Sequence, residues 1–163
     1  MSTTQFFFHH DAAWKSAQID HICKLSRLHS MAATAIDRKR GEIASLRRAV
    51  FESILISGRK KPQMMDVVTF LEAIFSLTSP CHLDGARQSA VLMQAILQEA
   101  LTSLRDFPER DIGDDGDSIQ MLDEAIAHLF ISCENNAQRM TALLANADRE
   151  IFALQDMLVK LAS

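Results

Sequence analysis

The chain has 163 residues, 48% apolar and 23% charged, with a formal net charge of −4. That is the length of one domain with enough apolar residues for a core, which excludes disordered, collagen-like and disulfide-framework proteins. Five Gly and three Pro supply too few tight turns for a many-stranded β fold, and the acidic balance argues against a dedicated nucleic-acid binder.

In chain order, residues 1–10 form an N-terminal arm carrying Phe6, Phe7 and Phe8. The arm lacks a basic n-region, and no stretch of the chain reaches the ~20 apolar residues of a membrane span, so a cytoplasmic location without membrane contact is expected. A first long helix is predicted over 11–57. Ile22, Leu25, His29, Ala32, Ile36, Lys39, Ile43, Leu46, Val50 and Ile54 recur at steps of three and four. Asp11 is placed to cap this helix, Gly58 and Pro62 to stop it, and Gly41 is a point where it can kink. A short helix follows over 63–78. It is apolar almost all round, with Met64, Met65, Phe70 and Phe75 among its large residues, and such a helix is either buried or covered by a partner. Ser79-Pro80 ends it. A third helix is predicted over 84–105, and a fourth over 117–161. The fourth shows apolar steps averaging about 3.5 residues, the spacing of a left-handed bundle seam. Asn135-Asn136 is its weakest point.

The predicted fold is therefore all-α, an antiparallel four-helix bundle with the order long, short, short, long. Brief connections favour up-down-up-down topology. That arrangement places Arg59, Lys60 and Lys61 of the first loop at the same end as the Asp-rich third loop. The lengths do not match, since two helices of roughly 66 Å outrun a short neighbour by tens of ångströms. The exposed seams call for cover, and completion by a second copy, a homodimer, is the expected answer.

No catalytic motif is present, and no cofactor or metal is expected. There is no Gly-x-Ser-x-Gly, no Walker loop and no dinucleotide fingerprint. An EF-hand frame starting at Asp111 reaches Leu122 where a bidentate Glu is needed. Cys23, Cys81 and Cys133 form no CxxC pair and read as free thiols among apolar neighbours. Arg38-Lys39-Arg40 and Arg47-Arg48 make the first helix basic in its middle, an alternative handle for weak nucleic-acid contact through phosphates alone. His21-Ile22-Cys23-Lys24 resembles the His-x-x-Lys element of histidine phosphotransfer domains, which are also four-helix bundles. That resemblance implies His21 as phosphoacceptor with Lys24 offsetting the charge, although Leu25 stands where that family usually carries Gly.

The leading expectation is a non-enzymatic interaction protein, an adaptor or chaperone-like bundle that binds itself and an unidentified protein partner. Its contact surface is expected at Phe6, Phe7, Phe8, Trp14, Met64, Met65, Phe70 and Phe75. His29 and Lys39 are polar residues in an apolar seam, the kind of position that sets register. In general layout the chain is similar to small acidic helical chaperones of bacterial secretion and flagellar export.

Overall fold

A computed structural model of the chain describes residues 12–60, 67–106 and 116–162. Phe6, Phe7, Phe8, Met64, Met65 and most of the acidic third loop lie outside the described residues. Four helices are present: α1 (Ala12–Lys60), α2 (Val67–Thr78), α3 (Asp84–Asp106) and α4 (Gly116–Ala162), with no strand among the described residues. The all-α fold and the long-short-short-long order are those read from the sequence. Residues 63–66, where α2 was expected to begin, lie outside the described residues, and the other described ends fall within three residues of expectation.

Neither weak point breaks a helix. α1 stays helical through Gly41 and α4 through Asn135-Asn136. The cost of a mid-helix Gly is about 1 kcal/mol. Burying one Ile or Val side chain contributes about 1.5–3 kcal/mol, and Ile36, Ile43 and Val50 on the same helix are all buried.

The chain divides into two compact units. The first takes α1 up to Ala32, α3 from Ser89 and α4 up to Arg139. Its core is built from Ile22, Leu25, Leu97, Leu101, Leu104 and Cys133, with Trp14, Met93, Leu129 and Phe130 packed against it. Here Lys15, near the start of α1, donates to the carbonyl of Arg105 at the end of α3 (2.7 Å), while Ser30 and Gln94 line one groove further on. Ser89 donates to Asn136 (2.8 Å), and Leu104 shares a groove with Leu122. α3 therefore runs antiparallel to both α1 and α4, and those two run parallel.

The second unit takes α1 from Ala33, α2, the first turn of α3 and α4 from Met140. Its core includes Ile36, Ile43, Val50, Ala73, Leu83, Ala147, Ile151 and Leu154. Lys39 pairs with Asp148 and Arg47 with Glu150, so α1 and α4 again run parallel. Arg40 with Asp84 and Asp37 with Arg87 set the start of α3 antiparallel to α1. α2 follows the end of α1 and finishes at Ser79 beside Arg47, about 20 Å back along α1. α2 also descends against α1.

This corrects the expected up-down-up-down path, in which α1 and α4 oppose each other. Within the second unit the connection 79–83 leads from α2 into α3 without reversing direction, so the chain makes one fewer reversal than it has loops. The expected meeting of the first and third loops falls on residues outside those described. The argument from unequal lengths loses its premise, because each unit has its own third helical segment. The long stripes are buried within the chain itself by α3 in one unit and by α2, Leu83 and the start of α3 in the other.

Candidate functional site

Helix α2 is turned against the usual amphipathic logic. At 100° per residue, Thr69, Ala73 and Ser76 fall on one face, and Val68, Leu71 and Phe75 on the opposite one. In the second unit it is the small face that points inward. Ala73 is fully buried, whereas Phe75 is 73% exposed and Val68 and Leu71 are 59% exposed each. Phe70 and Ile74 are exposed on the flank. The helix carries a single charged residue, Glu72, and no basic one.

Local chemistry holds this orientation. The hydroxyls of Thr78 and Ser79 donate back to the carbonyls of Ile74 (2.9 Å) and Phe75 (2.7 Å), occupying acceptors that a helix C-terminus leaves free. Pro80 then prevents continuation. The guanidinium of Arg47 donates to the Ser79 carbonyl (2.7 Å) and, through Nε, to Glu150 (3.2 Å), tying the end of α2 to α1 and α4 at once. Ala73 is fully buried on the inner side, with the half-buried Leu77 one turn along from it, while the other large side chains stay outside. Phe51 and Leu55 are further exposed apolar side chains, on α1. Phe51 lies about three turns beyond Arg40 on the same face, the face that meets the start of α3.

The basic stretch of α1 is largely spent inside the second unit. Lys39, Arg40 and Arg47 pair with Asp148, Asp84 and Glu150, while Arg38 and Arg48 are exposed. Lys39, expected as a register-setting residue, is mostly buried and reaches the exposed Asp148 at the rim, as a lysine stem along apolar surface does.

His29, the other register candidate, is fully buried in the first unit. Its Nδ1 donates to the carbonyl of Leu25 (2.8 Å), and its Nε2 has no hydrogen-bond partner among the described residues. Among the described residues Asn136 Nδ2 is likewise buried without a partner, while its Oδ1 accepts from Ser89. The stacking of His21 on Phe130 (centroids 4.0 Å apart, planes 11°) sets the α1–α4 offset, and that offset puts Asn136 within about one turn of the level of His29. The first unit thus has a half-buried Ser89–Asn136 pair between α3 and α4, and a fully buried His29 on α1. Asn136 was legible only as a weak point of α4.

His21 and Lys24 are both exposed on α1, and the His21 ring lies flat on Phe130. Trp14 is half-buried against the core of the first unit. Burial, reinforced by the charge of Glu134, pushes the Cys133 thiol up from its ordinary range. The grooves of the first unit have apolar floors, and the one between α1 and α3 is rimmed by Ser26, Ser30, Gln94 and Gln98. Among the described residues no group of three or more His, Cys, Asp or Glu side chains is placed to hold a metal ion, and no helix is long and apolar enough to cross a membrane. Of the expected contact residues on α2, Phe75 therefore lies on the outer face and Phe70, also exposed, on a different side of the helix, while Trp14 and His21 lie in the other unit.

Compared with protein-family models, curated proteins and solved structures, the chain matches none.

Proposed function

We propose that this chain is a non-enzymatic protein–protein interaction module, adaptor-like or chaperone-like, whose working surface is the outer face of α2. The observation that carries the reading is the inverted orientation of that helix, with Ala73 inside and Leu71 and Phe75 in water. Contiguous exposed apolar surface rimmed by polar residues marks interaction sites on soluble proteins. The rhythm of three and four residues fits recognition by another helix, the helix-in-groove mode. Three free cysteines agree with work in a reducing compartment such as the cytoplasm.

A photo-crosslinking residue placed at position 75 tests the reading directly in cells making the protein. It should give a discrete protein adduct, identified by mass spectrometry, while the same residue at the exposed Gln155 of α4 gives none. Equal labelling at both positions would refute the assignment of the surface to α2.

A further inference from the structure

The seam of α4 is covered unevenly. Cys133, Met140, Ala147, Ile151 and Leu154 are buried along it, whereas Leu122, Ile126 and Leu129, on the same stripe nearer the start of the helix, are only half-buried. Those three line an apolar groove of about 180 Å³ in the first unit, closed on its other side by Ala100 and Leu104 of α3. An apolar cavity of about 150 Å³ holds one benzene ring, so this groove has room for one phenyl side chain.

We propose that the groove is filled by the chain's own N-terminal arm, through a ring of Phe6, Phe7 or Phe8. The inference stands apart from the reading of the α2 face. Its first support is where the described chain begins. Lys15 donates to the carbonyl of Arg105, so α1 starts level with the end of α3, and Leu104 and Leu122 lie at that same end of the unit. Reach is sufficient. The four to six residues from Ala12 back to Phe8 and Phe6 span up to about 13–20 Å when extended, against a helix-to-helix spacing of about 8–10 Å.

Composition selects the arm over the other stretch that meets this end, residues 107–115. That stretch carries four carboxylates in nine residues, whereas residues 1–11 carry one, Asp11, with no Lys or Arg and three consecutive Phe. Covering an apolar groove with carboxylates costs free energy, and covering it with a phenyl ring releases some. Three adjacent Phe left in water would form a patch that soluble chains avoid.

The test joins arm to groove in the full chain. In a Cys23→Ser, Cys81→Ser background, His9→Cys is combined with Ala125→Cys, exposed at the groove's rim, or with Ile131→Cys, exposed on the side of α4 turned away from it. A short bis-maleimide should link position 9 to 125 and not to 131, in a product of single-chain mass. Equal linking at both positions, or at neither, overturns the proposal. A product of twice the chain mass also overturns it, by making a second copy's arm the occupant. As an independent readout, Phe6→Ser, Phe7→Ser and Phe8→Ser together should lower the folding equilibrium constant about ten- to a hundredfold, the loss of one buried ring. Urea titration reads this as a lower midpoint, with the helical circular dichroism of the folded chain unchanged. Phe107→Ser should leave that midpoint in place. If Phe107→Ser takes the loss and the arm variant is silent, the third loop is the cover and the proposal falls.

Discussion

Replacing the fully buried His29 by leucine should make the protein more stable, an uncommon direction for a core substitution. The buried Nε2 of His29, unpaired among the described residues, carries a desolvation penalty of about 1–3 kcal/mol, which leucine removes. The lost Nδ1–H bond costs little, because the Leu25 carbonyl that receives it is also the helical acceptor for the amide of residue 29 and stays satisfied. Leucine is somewhat bulkier than imidazole, and mild overpacking returns about 1 kcal/mol. The net expectation is a gain of about 1–2 kcal/mol, or a rise in Tm of roughly 2–8 °C for a chain of this size. Urea titration followed by circular dichroism reads it as an upward shift of the midpoint with an unchanged slope. His29→Ala serves as the comparison, since opening a cavity there should cost about 2–4 kcal/mol. A His29→Leu midpoint below that of the wild type would refute the reasoning, because it would mean that the ring contributes more through its polar edge than it loses.

Gly41→Ala should stabilise by about 0.5–1 kcal/mol, since the residue lies inside α1 and an added Cβ meets nothing within 4 Å; thermal unfolding checks this. Arg47→Ala should cost about 2–3 kcal/mol by leaving Glu150 and the Ser79 carbonyl without their donor in a site where the two side chains are 17% and 23% exposed. Arg48→Ala, on an exposed position of the same helix, should stay within about 0.5 kcal/mol in the same denaturation assay. Cys133 should resist alkylation in the native protein while Cys23 and Cys81, both half-buried, react first, as peptide mapping would show. With its folded-state thiol pushed up by burial and then by Glu134, the unfolded chain loses the Cys133 proton at lower pH than the folded one. Cys133 therefore favours folding fully at neutral pH and progressively less as pH rises through and above the ordinary thiol range; the midpoint measured from pH 7.5 to 10 should flatten in Cys133→Ala.

Periodicity reads helices well because burial repeats with the helical turn. Every stripe residue named from the sequence between Ile22 and Ile54 is buried or half-buried. Direction is another matter. A stripe of Ile and Leu reads the same whether its neighbour runs up or down, so the assumption that every short loop reverses the chain supplied the wrong path. What decides the path is the pairing of Arg40 with Asp84 and of Asp37 with Arg87. Those partners sit more than forty positions apart on elements whose register no local pattern reveals.

The same reasoning explains why α2 was half legible. Its composition announced a helix apolar on almost every side, and such a helix has several ways to dock. Hydrophobic burial alone favours turning Leu71 and Phe75 inward. Two features of this fold set the orientation: the Ser79 carbonyl is held by Arg47, and Ala73 is the residue of α2 that is fully buried. A helix fixed by its end and its smallest side chain has no freedom left to hide its largest ones. Water is a poor solvent for that face, so the orientation that completes the fold of one chain leaves apolar surface for another to cover.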